Sequence, residues 1–237
     1  MTKPNSIRIV ACAGLCAGWL CSTPAHADEI KLPLPLPNGG QVVAKQETQK
    51  RTPKCRAQRN WVEVEGIPEP EAQKLINGQI RKKITVGRKL KEEDCAGSEE
   101  EESYTYVNRV EVTGVWRRYL GTSTTVCFPG GTGRCVESCE IYDLATGKRD
   151  DLKKYVDPAA RARLETLLNQ QAKADDFPEG YLPLKLKETA MCLRNDGIRI
   201  EFSNDSGGAS TAITVARAHI PQYFRLPADM ASDASNR

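Results

Sequence analysis

Residues 140 to 202 constrain this chain most, because they read in order as a strand, a tight turn, a capped helix and a hairpin. The strand Glu140-Ile141-Tyr142 runs into Asp143-Leu144-Ala145-Thr146-Gly147-Lys148, where Gly147 supplies the positive φ that such a turn needs. Asp157-Pro158 then starts a helix: the aspartate can accept from orphan N–H groups, and proline at the first helical position has no N–H to leave unpaired. Leu164, Leu167 and Leu168 recur on one helical face. Asn195-Asp196-Gly197 is a hairpin turn joining Met191-Cys192-Leu193 to Ile198-Arg199-Ile200-Glu201-Phe202.

Upstream, Leu32-Pro33-Leu34-Pro35-Leu36-Pro37 places prolines at alternate positions, which removes N–H donors and favours extended chain. Residues 28–54 are therefore expected to be a flexible arm outside the core. Structure is expected to begin near Cys55, with a strand over Asn60–Val64 and an amphipathic helix over Glu69–Ile84 that turns Ala72, Leu75, Ile76 and Ile80 inward. Tyr104, Tyr106, Val110 and Val112 share one face of a strand, and a second long strand is expected from Val115 to Phe128. The glycine-rich Pro129–Gly133 turns it back into Cys135-Val136-Glu137. The resulting expectation is an α+β fold of two disulfide-stapled lobes sharing one antiparallel sheet, helices packed on one face. The lobes are residues 55–102, with a charged loop, and 103–226; residues 227–237 read as a disordered tail.

The first 27 residues have the pattern of a secretory signal: Lys3 and Arg8, an apolar stretch from Ile9 to Leu20, and the small-x-small site Ala25-His26-Ala27. Cleavage there starts the mature chain at Asp28 and removes Cys12, Cys16 and Cys21 from the nine cysteines. The expected location is periplasmic or secreted, where the six that remain favour disulfides. Cys127 and Cys135 flank a short hairpin, so their strands bring them within bridging distance. Cys135 and Cys139 are too close in sequence to pair in extended chain, which would span about 13 Å between them. The other four are assigned as Cys55–Cys95 and Cys139–Cys192. No metal site is expected, since clustered soft ligands at metal spacing are lacking and the mature chain keeps only His219, read as lying in the last strand, Ile213–Ile220.

The 34 basic and 31 acidic residues become 32 against 31 once Lys3 and Arg8 are removed, which argues against nucleic acid as a bulk electrostatic target. Locally, Arg81, Lys82, Lys83, Arg88, Lys89 and Lys91 precede Glu92, Glu93, Asp94 and Glu99–Glu102. This segment reads either as a solvated loop of partly paired charges or as an acidic loop offered to a basic partner. After Leu20 no apolar run is long enough to span a bilayer as a helix.

The ordered series over residues 103 to 226 resembles the extracellular domain of RsiV-type anti-sigma factors and the non-catalytic domain of PdaC-type polysaccharide deacetylases. The residues that carry it are Tyr142-Asp143-Leu144-Ala145-Thr146-Gly147-Lys148, the helix, Asp196-Gly197-Ile198-Arg199-Ile200-Glu201-Phe202, and a last strand ending in Ile220-Pro221. The resemblance implies recognition of lysozyme, a cell-wall muramidase, by loops that occlude its cleft. The loop after the strand ending in Phe202 is here Ser203-Asn204-Asp205-Ser206-Gly207-Gly208, continuing to Thr211, with Asn204-Asp205 where family members that contact lysozyme carry proline-tyrosine. In the preceding hairpin, Gly130-Gly131-Thr132-Gly133 replaces a glycine-glycine-alanine-histidine. The anti-sigma factors also need a membrane helix and a cytoplasmic segment, and neither is expected here.

No Gly-x-Ser-x-Gly elbow, Walker loop or His-Glu-x-x-His occurs. The expected function is therefore an exported, cofactor-free, non-catalytic inhibitor of a lysozyme-like or other envelope-attacking enzyme. A peptidoglycan-binding module using Trp61, Trp116 or Tyr119 is the alternative, and an unrecognised hydrolase with paired carboxylates the third.

Overall fold

A computed structural model of the chain describes residues 30–52, 55–89, 91, 104–127, 135–203 and 210–231. The signal segment, the acids of the 92–102 run, Cys95 and the 128–134 turn lie outside the described residues. The fold is α+β, with a seven-stranded sheet, a separate three-stranded sheet, few helices and a disulfide between Cys139 and Cys192.

The segment expected to be an arm is strand. β1 (Leu34–Pro35) turns back into β2 (Gln41–Thr52), which pairs antiparallel with β3 (Cys55–Glu65) from Gln41↔Glu65 to Thr52↔Cys55. Its polar composition hid it, because pairing supplies the stability through the backbone while its side chains mostly meet water or ions. Lys45 reaches Glu65 at 2.9 Å, and Glu47 accepts from the backbone N–H of Gly87 at 3.0 Å. Leu36 and Val42 join the core.

Helix α1 (Pro70–Lys83) buries Ala72, Ile76 and Ile80 and leaves Leu75 half exposed, so its inward stripe is narrower than expected. Asn77 fixes its register on β3: its amide accepts from Val64 N–H and donates to Val64 C=O, both at 2.9 Å. The chain then crosses to β4 (Tyr104–Trp116), which lies parallel to β3, the one parallel pair among the described strands of the sheet. A helix-containing crossover permits that direction where a tight turn cannot.

β4 turns at Arg117-Arg118 into β5 (Tyr119–Cys127), which pairs with β6 (Cys135–Asp143) and is followed by the short β7 (Arg149–Asp150). The expected strand from Val115 to Phe128 is thus interrupted by a two-residue turn with Arg117 at φ 51°. Gly147 has φ 70° as expected, and a Cβ there would also lie 2.8 Å from the Ala72 carbonyl, so the turn can rest against α1. A short 3₁₀ turn at Pro158–Ala160, capped by Asp157, leads into helix α2 (Arg161–Ala174).

The smaller sheet comprises β8 (Ala190–Arg194), β9 (Gly197–Ser203) and β10 (Ser210–Ala216), in the order β10-β9-β8. β10 ends at Ala216, and His219 lies in the 3₁₀ turn that follows, not in the strand. α2 packs Leu164 and Leu168 in a core with Ile198, Ile200, Ile213 and Val215, to which the larger sheet adds Trp116, Tyr119 and Ile141. A second core joins α1 to Val110, Leu120, Tyr142 and Leu144. Neighbouring residues on one strand, Tyr119 and Leu120 or Ile141 and Tyr142, thus serve different cores, and the pleat sends them to opposite faces. Helix α1 therefore covers one face of the larger sheet, while the smaller sheet, with α2 on β10, lies against the other, and among the described strands the antiparallel order is broken once, at β3 and β4.

The smaller sheet sits close against the larger. Gly114 and Gly121 face each other across β4 and β5. A Cβ on Gly114 would stand 2.7 Å from the Arg194 carbonyl carbon, and one on Gly121 would stand 2.8 Å from Leu193. The paired glycines form a slot for the β8 backbone. Trp116 Nε1 donates to the Arg194 carbonyl at 2.8 Å, and Val115 N–H donates to Asn195 Oδ1 at 3.1 Å. The expected tail is also partly structured: α3 (Ala228–Ala231) buries Met230, and Arg118 bridges Asp229 at 2.8 Å and Asp143 at 3.2 Å.

Candidate functional site

Two strand connections expected to bind a partner can be followed as far as their roots. Ser203, exposed at the end of β9, lies opposite Ser210, while Asn204, Asp205, Ser206, Gly207 and Gly208 lie outside the described residues. Cys127 lies opposite Cys135 at the root of the other connection, and Gly130, Gly131 and Thr132 are likewise outside. Cys127 and Cys55 are both disulfide-bonded. The expected partner of Cys55, Cys95, is among the residues not described.

Charged residues occupy the face beside these roots. Arg109, Thr125 and Glu137 stand opposite one another across β4, β5 and β6. Arg109 is 3.6 Å from Glu111, and Arg199 bridges Glu201 on β9 at 3.1 Å. Loss of hydration and then the Glu201 carboxylate raise the Glu137 pKa, partly countered by Arg199 and Arg109. Glu137 is two residues from Cys135 and Glu201 two from Ser203, so this coupling brings the two roots to one region. One further step along β6, the Cys139–Cys192 disulfide, with Cα atoms 5.1 Å apart, ties β6 to β8. It pins the two sheets beside the charged face.

A cleft of about 680 Å³ continues from Glu137 along β6 and β7 to residues 150–154 and 188–191. Its carboxylates are differently placed. Burial opposes ionisation of Glu140, but Lys83 at 2.7 Å, the Tyr142 hydroxyl at 2.5 Å and Arg149 at 2.6 Å hold its carboxyl below the ordinary range. Burial also opposes ionisation of Asp150, which Lys154 at 2.5 Å and the Tyr155 hydroxyl at 2.6 Å nonetheless keep low. Both are committed acceptors and unsuited to donating a proton at neutral pH, which leaves Glu137 as the carboxyl tuned the other way.

The basic run is dispersed by the fold. Arg81 pairs with the nearly buried Glu63, and Lys83 pairs with Glu140, so these cations answer sheet carboxylates. The aromatic candidates are core residues: Trp61, Trp116 and Tyr119 are at most 8 % exposed. Among the described residues the exposed aromatic is Tyr181, 41 % accessible, whose ring meets Phe177 and Phe202 at 5.8 and 6.4 Å between centroids. His219 shares a contact of 3.2 Å with Gln222. Among the described residues no group of three His, Cys, Asp or Glu side chains comes together in a way that could hold a metal ion. No described helix is long and apolar enough to cross a membrane.

Sequence reasoning passed over Glu137, Arg199 and Glu201. Alternation in Ile198-Arg199-Ile200-Glu201 does put both charges on the face away from the core, but Glu137 comes under their electrostatic influence only when the two sheets dock.

No family model matches the sequence, and no curated protein matches it. Among solved structures, a DUF3298-family protein from Bacteroides fragilis superposes with a TM-score of 0.60 at 11% identity, covering 85% of this chain and all of that one. A DUF3298-family protein from Pseudomonas aeruginosa also matches, at TM-score 0.48 and 11% identity over 84% of this chain and 98% of that one. The fold of this chain is similar to that of the Bacteroides protein, a member of a family of unknown function.

Proposed function

We propose that this chain is an exported, non-catalytic binding protein of the cell envelope that inhibits or neutralises a lysozyme-like or other envelope-attacking enzyme. The resemblance of residues 103–226 to the RsiV-type and PdaC-type domains supports the target class. The observation that carries the reading is that the roots of the β5–β6 and β9–β10 connections lie beside one charged face, where the Glu201 carboxylate raises the Glu137 pKa. Binding residues concentrate on loops held by a rigid scaffold, and the Cys139–Cys192 bridge stiffens this one.

The test is a pull-down of the mature protein against envelope extracts and a lysozyme panel, followed by inhibition assays. Asp205→Arg should abolish binding and leave the thermal midpoint nearly unchanged, since surface substitutions usually move stability by no more than about 0.5 kcal/mol. Glu100→Arg should do little. The opposite pattern transfers recognition to the acidic 92–102 run and refutes the assignment. The peptidoglycan reading loses Trp61, Trp116 and Tyr119 to the core and would have to use Tyr181; retention on purified peptidoglycan would favour it. One observation favours the hydrolase reading: Glu137, with its raised pKa, lies near Glu201, as a general acid lies near a second carboxylate. Turnover lost in Glu137→Gln would establish that reading in place of inhibition.

A further inference from the structure

The open edge of β6 forms part of the lining of the cleft of about 680 Å³. β7 pairs only with Ile141 and Tyr142 of β6, and the chain then leaves the edge at Asp151, which caps the 3₁₀ turn Leu152–Tyr155. On that side Asp143 N–H donates to the Lys148 carbonyl at 3.0 Å and sets the phase of the ladder. Alternation from that bond turns the backbone N–H and C=O of Ile141, Cys139 and Glu137 away from β5. Ile141 is paired with Asp150, whereas the outward groups of Cys139 and Glu137 meet no backbone partner among the described residues. Both residues line the cleft.

Shape, main-chain polarity and charge together select the occupant. The cleft is also bounded by residues 150–154 and 188–191, so the edge is recessed. A recessed edge admits one extended segment and shuts out the edge of a second folded sheet, whose flanking chain would meet those residues. Two donor–acceptor pairs, two residues apart along β6, fit the main chain of an extended peptide. The charge is negative: five carboxylates line the cleft against three basic side chains. Glu140 is already bridged by Lys83 and Arg149, and Asp150 by Lys154. Glu137 is not answered in this way, because the cations that act on it, Arg199 and Arg109, bridge Glu201 and Glu111 instead.

We propose that this recess binds an extended segment of a partner protein by strand addition. The segment lies antiparallel to β6 in the line of β7, with an arginine or lysine opposite Glu137. One residue of the segment exchanges both main-chain bonds with Cys139, and the residue two further on does the same with Glu137. The residue between them lies opposite Ser138 and turns its amide away from β6. Cys139 and Glu137 share the side of the pleat that Ile141 turns to the smaller sheet, so the basic side chain reaches the Glu137 carboxylate on that side. The proposal is independent of the enzyme-inhibitor reading, which rests on Asp205, and survives its failure.

The experiment is an NMR titration of the exported, oxidised, isotope-labelled chain with the peptide acetyl-Val-Thr-Arg-Thr-amide, up to about 10 mM, a range suited to a contact far smaller than a standard interface. The backbone amide signals of Glu137 and Cys139 should move downfield together and saturate. N-methylation of the valine or arginine amide, each of which faces β6, should abolish binding, whereas N-methylation of the threonine between them should leave it intact. Exchanging the peptide's arginine for glutamate should weaken binding about tenfold, and Glu137→Lys, with circular dichroism like the parent's, should reverse that preference. Binding should persist in Asp205→Arg, which separates this site from the inhibitory loops. A parent that gives no response at the highest concentration overturns the proposal, as does one that binds the arginine and glutamate peptides equally. Indifference to where the peptide is methylated also overturns it, and that series needs only the parent chain.

Discussion

Replacing both Cys139 and Cys192 by alanine tests what joins the two sheets. The bridge closes a loop of sequence separation 53. Chain-entropy reasoning for a loop of that length gives about 4 kcal/mol at 25 °C, within the roughly 2–5 kcal/mol that losing a native disulfide costs. The small voids left by two sulfur atoms add about 1 kcal/mol at most. The folded state keeps other ties between the sheets: the Trp116–Arg194 and Val115–Asn195 hydrogen bonds at 2.8 and 3.1 Å, and the core shared by Ile141, Leu193 and Ile200. The variant should therefore still fold, and its urea midpoint should fall by the equivalent of about 3–4 kcal/mol in a single transition. The slope against urea should rise slightly, because the unfolded chain without the bridge exposes more surface. A loss below about 1 kcal/mol would refute the entropic account. Two separated transitions would refute the other premise, by showing that the bridge alone holds the smaller sheet in place.

The glycine slot and the salt-linked carboxylates give two further expectations. Gly121→Ala should cost about 1–3 kcal/mol in urea unfolding, because its Cβ would sit 2.8 Å from Leu193. Gly78→Ala is the control: it lies in α1 with no atom within 4 Å of a built Cβ, and should gain about 0.5–1 kcal/mol. Glu140 and Asp150 have folded pKa values below their ordinary 4.5 and 3.8, so the stability they contribute is present above those values and lost as pH falls through the depressed ones. Thermal midpoints should therefore drop progressively below about pH 4.5, and the drop should be shallower in Glu140→Gln.

What could be read in the sequence was local. The Asn195-Asp196 turn, Gly147 and the Leu164–Leu168 face each announce themselves within a few residues, and each stands where expected. β2 was illegible because an outlying strand with polar side chains is stabilised by its partner's backbone, which composition does not record. The Arg117-Arg118 turn carries neither glycine nor proline, so nothing separated β4 from β5 at that point. The parallel pairing of β3 with β4 and the electrostatic influence of Glu201 on Glu137 are long-range effects created by docking. At the candidate site, the two loops were visible from their glycine and small polar residues, whereas the charged face beside them was not.

Strands β4 to β6 act as a party wall between two rooms. Tyr119 and Ile141 furnish one side, Leu120 and Tyr142 the other. The boundary near residue 102, so natural on paper, therefore marks no module that could be cut out and moved. A fragment starting there would carry Val110, Leu120, Tyr142 and Leu144 bare to water, stripped of the helix that covers them. Changes to either side must respect the shared backbone, so new loops can be grafted onto the strand ends far more freely than the halves can be exchanged.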